Sequence, residues 1–151
     1  MPAEIVYWDS DCFLALFQNE KGKVEHCEGT LERAEKGEVV IITSTLTLAE
    51  VLWLRDGPKL AKDKAEIIRK FFRRSYIRLR NVTRVTSESA QDLVWNEGVR
   101  PKDAIHVATA LEAKADALET FDDGLLKKSR KIGEPAIEIR KPIPPRQSKL
   151  L

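Results

Sequence analysis

Residues 38 to 44, "EVVIITS", contain five β-branched residues in succession from Val39 to Thr43. An extended chain of this kind has no face suited to water, so it belongs inside a sheet covered on both sides by helices. Shorter apolar runs repeat the theme: "IVYW" at 5–8, "YIRLR" at 76–80, "ADALET" at 115–120 and "AIEI" at 136–139. The segments between them place apolar residues three and four apart, the period of amphipathic helices. Strands alternating with helices predict an α/β fold, a three-layer α/β/α sandwich around a mainly parallel sheet.

The helical segments have recognisable ends. "DSDCFLALF" begins with polar capping residues, and residues 22 to 37 form an amphipathic stretch ending near Gly37. Ser44 or Thr45 is placed to cap "LTLAEVLWLR", and "KLAKDKAEIIRKFFRRS" resumes as a helix after "DGP". "YIRLRNVTRV" reads as a strand or extended edge segment, with Ser87 capping "ESAQDLVWNEG". Pro101 suits a helix start, which puts Asp103 in the first turn, and "DGLLKKSRK" reads as a short helix. Residues 1–140 are expected to form one domain, followed by a basic, Pro-rich tail over 141–151 without regular structure.

Composition narrows the class. A chain of 151 residues with 42% apolar and 33% charged residues can bury a core without disulfides or a structural metal. Its apolar runs fall short of the ~20 residues that a spanning helix needs. The opening "MPAEIVYWD" lacks signal-peptide features, so a cytoplasmic location is expected. Cys12 and Cys27 have no metal-ligand spacing and read as reduced structural thiols. With 26 Lys and Arg against 24 Asp and Glu, net charge does not announce a nucleic-acid partner.

Acids at the ends of the strand candidates point to a site. In parallel α/β sheets, ligands bind beyond the carboxyl ends of the strands. Asp9 and Asp122 each follow an apolar run, while Glu50 and Asp103 lie early in helices that reach the same edge. On a helix, Glu50 has Leu46, Trp53 and Leu54 as neighbours, and a carboxylate among apolar side chains requires a cation or a hydrogen-bond network. Asp103 alone also suits a helix's first turn, and Asp9, Ser10 or Asp11 suits an N-cap. Acids from four segments converging without matching Lys or Arg would repel one another unless a divalent cation binds among them. Oxygen-only donors select Mg²⁺ or Mn²⁺, which suits phosphate chemistry. His106, three residues after Asp103 among apolar neighbours, reads as a packed, hydrogen-bonded residue rather than a general base.

These residues resemble the PIN domain, and most closely the VapC-like toxins of type II toxin-antitoxin systems. The resemblance runs through "IVYWDSDCFLALF", "VVIITSTLTLAEVLWL", "KDAIHVATALEAKADALETFDDGLL" and "AIEI", almost the whole chain. Its motifs map the family's acids to Asp9, Glu50, Asp103 and Asp122, with Thr120 two residues before Asp122. Asp11 stands as a competitor to Asp9, which directly ends the strand, and Asp123 as a competitor to Asp122. The resemblance implies a ribonuclease whose four acids hold Mg²⁺ or Mn²⁺ directly or through water. Ser10, Thr120 and Asp123 would support those ligands from behind. It also implies an RNA substrate, a homodimer, an antitoxin partner and no membrane association.

"IIRKFFRRSYIRLRNVTR" supplies a candidate RNA-binding surface through Arg73, Arg74, Arg78 and Arg80, with aromatic residues nearby. Two other readings fit the same residues. A haloacid-dehalogenase-like phosphatase would use Asp9 as nucleophile and Asp11 as acid/base, although Phe13 departs from that family's pattern. A PIN-like module that binds RNA or protein without catalysis is the non-enzymatic alternative.

Overall fold

The structure, a computed structural model, describes residues 2–53, 57 and 59–145. Five strands form one sheet in the order β3-β2-β1-β4-β5: β1 is Glu4–Trp8, β2 Val39–Ser44, β3 Ile77–Arg80, β4 Ala117–Glu119 and β5 Glu138–Arg140. All four pairings are parallel, so every strand ends at the same edge. Around the sheet lie α1 (Ser10–Phe17), α2 (Val24–Glu35), α3 (Thr45–Glu50), α4 (Lys62–Phe72), α5 (Arg84–Glu97), α6 (Pro101–Glu112) and α7 (Asp123–Leu126). The expected three-layer α/β sandwich is the observed fold.

Alternation along the strands divides the core in two. Val6 and Trp8 of β1 and Ile41 of β2 face one side, where Phe13, Leu14, Leu31 and Phe72 complete a cluster. Tyr7, Ile42 and Leu118 face the other side and pack with Ala104, Val107 and Leu125. Each large apolar side chain buried this way contributes roughly 1.5–3 kcal/mol. Cys12 and Cys27 are buried free thiols within the first cluster. Among the described residues, no helix is long and apolar enough to cross a membrane.

Several element ends differ from the sequence reading. The helix expected over "LTLAEVLWLR" ends at Glu50, followed by a turn and a bridge between Trp53 and Lys59; Leu54 and Arg55 lie outside the described residues. Ser44 caps this helix by accepting from Leu46 N. Thr83, not Ser87, caps α5, because Thr83 and Thr86 exchange side-chain and backbone bonds in a capping box. "NVTRV" therefore leaves the strand, which stops at Arg80, and its last residues enter α5. The short helix over "DGLLKKSRK" is confined to Asp123–Leu126. Residues 141–145 carry neither helix nor strand, and 146–151 lie outside the described residues. Within that tail, Pro142 O accepts from His26 Nδ1 at 2.7 Å, and a Cβ on Gly29 would overlap Ile143 O, so a glycine is required where the tail crosses α2.

One buried network has no counterpart in the sequence reading, which placed Glu119 simply in a strand. Glu119 is 0% exposed; its Oε1 accepts from Trp8 Nε1 at 2.8 Å and Thr30 Oγ1 at 2.7 Å, and its Oε2 from Arg140 Nε at 3.1 Å. Arg140 reaches on to Glu138 and Glu4, each at 3.0 Å. Burial works to lower the Arg140 pKa, but Glu119 and Glu4 outweigh it and hold the guanidinium charged.

Candidate active site

The carboxyl edge of the sheet gathers the four acids from four different connections. Asp9 directly follows β1 and caps α1, its Oδ1 accepting from Cys12 N at 3.4 Å. Thr120, one residue beyond β4, donates to Asp9 Oδ2 at 2.5 Å and accepts from Asp122 N at 3.0 Å. A single hydroxyl thus ties the ends of β1 and β4 together. Asp122 caps α7 through Oδ2, which accepts from Leu125 N at 2.8 Å. Its neighbour Asp123 is exposed, while Asp122 lines a cleft together with Asp103.

Asp103 reaches the same edge through a compact helical corner. Gly98 ends α5 with φ of 67°, a left-handed turn that glycine adopts without penalty, and Pro101 starts α6 almost at once. Glu50 closes α3, whose position is set by Thr43: this hydroxyl bonds both Trp8 O and Thr47 Oγ1 at 2.7 Å. The helix ends at Glu50, so Trp53, expected beside it, lies past the helix end and is 70% exposed; the partner of the Glu50 carboxylate is His106, whose Nε2 lies 2.7 Å from Glu50 Oε1. His106, which the sequence reading kept out of the site, is therefore part of it.

Carboxylates from several segments gather here. Asp9 is 3% exposed, and its carboxyl is pushed up to about 7, first by burial and then by the negative charge of Asp11; His106 and then the Thr120 hydrogen bond work in the opposite direction. Burial also raises Asp103, with Asp122 the next cause; His106 opposes the rise, and Asp11 and Glu50 add to it. These shifts show that Asp9, Asp11, Glu50, Asp103 and Asp122 share one electrostatic neighbourhood. Ser10 is half-buried in the first turn of α1, beside them in sequence.

A cleft of about 220 Å³ opens between Arg100, Asp103, Asp122, Gly124 and Lys128. Arg100 and Lys128 were not singled out in the sequence, where isolated basic residues carry no signal. The basic segment that was singled out is divided by the fold. Arg73, Arg74, Arg78 and Arg80 are all exposed, but Arg80 pairs in register with Ser44 at the acid edge, whereas Arg73 and Arg74 precede β3 at the opposite edge.

Among the described residues, no three His, Cys, Asp or Glu side chains already enclose a single ion. The donor chemistry nevertheless fits a hard divalent cation: the acids offer oxygen alone, and their mutual repulsion is relieved by positive charge. Glu50 is tethered through Oε1 and Asp122 through Oδ2, so each tether engages one oxygen of its carboxylate.

The chain belongs to the PIN domain family, whose model matches residues 6–131. Its fold is similar to those of VapC toxins and toxin-antitoxin assemblies. VapC20 of Mycobacterium tuberculosis, a sarcin-ricin loop cleaving toxin, is 21% identical with a TM-score of 0.58, over 78% of this chain and 90% of that one. A toxin-antitoxin complex from Klebsiella pneumoniae is 21% identical with a TM-score of 0.56, over 78% and 86%. VapBC2 from Rickettsia felis, bound to a DNA fragment from its promoter, is 16% identical with a TM-score of 0.60, over 89% and 98%. No curated protein matches the chain by sequence.

Proposed function

We propose that this protein is a divalent-metal-dependent endoribonuclease and the toxin of a toxin-antitoxin pair. The observation that carries the reading is the gathering of acids at one sheet edge: Asp9 buried at the end of β1 with a carboxyl pushed up to about 7, and Asp103 beside Asp122 in a cleft bordered by Arg100 and Lys128. Four carboxylates, Asp9, Glu50, Asp103 and Asp122, would hold Mg²⁺ or Mn²⁺, directly or through water. Such an ion, when bound, polarises a phosphoryl oxygen and lowers the pKa of a bound water.

The protein's own groups supply the remaining functions. Thr120 orients Asp9 and the Asp122 backbone; Ser10 and Asp123 support the acids from behind. Arg100 and Lys128 lie beside Asp103 and Asp122, where cations attract the sugar-phosphate backbone that an acidic edge would repel. Arg80, at the same edge, extends that attraction, with Arg78, Arg73 and Arg74 further along or beyond β3. The reading extends to an antitoxin partner, a homodimer and a cytoplasmic setting.

Purified protein, freed of any partner, is expected to cleave RNA with Mg²⁺ or Mn²⁺ and to stop when the ion is chelated or Asp103 becomes Asn. Undiminished cleavage by Asp103→Asn would sink the site. Metal binding without turnover on any nucleic acid identifies a binding module instead, and a trappable acyl phosphate on Asp9 identifies a phosphatase. Growth arrest on expression, relieved by the product of a neighbouring small gene, tests the toxin role.

A further inference from the structure

Resting on the metal-dependent reading above, we propose that His106 is a positioning residue, holding the Glu50 carboxylate at the acid edge through a relay that begins at Tyr7. His106 is 1% exposed, and both ring nitrogens have partners: Tyr7 Oη lies 2.6 Å from Nδ1 and Glu50 Oε1 lies 2.7 Å from Nε2. The two rings are 5.7 Å apart and tilted by 60°. A carboxylate oxygen accepts, so the contact with Glu50 is a donation from Nε2–H. Tyr7, whose hydroxyl can donate or accept, holds the other ring nitrogen and with it the orientation of the ring, the role an outlying hydrogen bond commonly has around a histidine.

Glu50 needs such a tether. It is the last residue of a six-residue helix, and the turn that follows leaves Trp53 70% exposed, so no further helical turn braces its side chain. The Glu50 side chain is 15% exposed, so part of it meets water. Among the described residues, His106 is the group that bonds its carboxylate. Engaging Oε1 sets the direction in which the other oxygen is presented.

The relay also joins the elements that carry the acids. Tyr7 precedes Asp9 by two residues and lies on the same face of β1; His106 follows Asp103 by one turn of α6; Glu50 closes α3. Three of the four acids are therefore held in register through one buried imidazole. Satisfying a histidine in the core would require partners of any kind, whereas a positioning role requires the Nε2 donor in particular.

That difference is testable with two amides in the full-length chain. In His106→Gln the side-chain N–H takes the place of Nε2 and keeps the donor to Glu50. In His106→Asn the shorter carbonyl takes the place of Nδ1, keeps the bond from Tyr7 and loses Glu50. Calorimetric titration with Mn²⁺ should give His106→Gln an affinity within about threefold of the unsubstituted chain and His106→Asn one about tenfold weaker, the usual scale for losing a supporting hydrogen bond. Their melting temperatures should differ by only a few degrees.

Equal Mn²⁺ affinities for the two variants, or no Mn²⁺ binding by the unsubstituted chain, overturns the positioning role. If the Asn/Gln separation appears but no RNA is cleaved, the role stands and the nuclease reading fails. If RNA is cleaved with metal but the two variants bind Mn²⁺ alike, the nuclease reading stands and the positioning role fails.

Discussion

Asp9 and Glu119 are both buried acids at the ends of neighbouring strands, and Glu119 pairs in register with Trp8, the residue before Asp9. Their surroundings are opposite. Glu119 lies on the α1/α2 side of the sheet, where Trp8, Thr30 and the Arg140 guanidinium satisfy both of its oxygens. Asp9 has Thr120 and a long backbone bond from Cys12, and Asp11, of the same sign, pushes its carboxyl up more than His106 draws it down. Burial alone therefore says little about an acid's role. An acid with its own cation is part of the framework; one buried among like charges stores an electrostatic penalty that a bound cation would relieve.

The strongest way to break this comparison is to remove each charge in turn. Asp9→Asn should lower metal-dependent RNA cleavage more than about a hundredfold, beyond the loss expected for a supporting hydrogen bond, while the fold is retained. A variant cleaving normally would place Asp9 in the same structural class as Glu119.

Arg140→Met should do the reverse. It leaves Glu119 buried without its cation, and the loss should be about 3 kcal/mol, or roughly 10 °C in melting temperature for a chain of this size. Cleavage per folded molecule should hold. An unchanged melting temperature would mean that the ion pair contributes no more than an apolar replacement.

The third contrast is in pH. Because the Asp9 carboxyl is pushed from its ordinary value near 4 up to about 7, the folded chain binds this proton more tightly than the unfolded chain does. Between roughly pH 4 and 7 the folded state holds more protons, so the stability of the metal-free protein falls as pH rises, by up to about 4 kcal/mol. Below that window both states are protonated and the penalty disappears. Denaturant titrations at pH 4.5 and 7.5 should show the fall, Asp9→Asn should reduce it, and Mn²⁺ should reverse it at the higher pH.

A smaller effect sharpens the boundary of the acid site. Arg100→Ala and Lys128→Ala should each weaken RNA binding and reduce the slope of log affinity against log salt by about 1, without changing which RNA is cut. Loss of binding with no change in slope would mean that neither contacts phosphate.

Much of this architecture was legible because it depends on local pattern. Five β-branched residues in β2 and apolar runs alternating with helical periods specify a covered parallel sheet, and that topology carries Asp9 and Asp122 to one edge. Helix ends were read less well: Thr83 and Ser87 are both reasonable caps in isolation, and only the exchange of bonds between Thr83 and Thr86 decides between them.

What the tertiary structure alone decided are the long-range partners. His106 meets Tyr7 from 99 residues away and Glu50 from 56. Arg140 and Glu119 belong to separate strands, while the basic residues beside the acid cleft, Arg100 and Lys128, come from the start of α6 and the segment after α7. Periodicity places a residue on a face of its own element, but the energy of a buried charge is set by groups brought near it by other elements. The order and chemistry of the acids were therefore written in the sequence, while the fold determined which acid is paired with a guanidinium and which lie among other carboxylates.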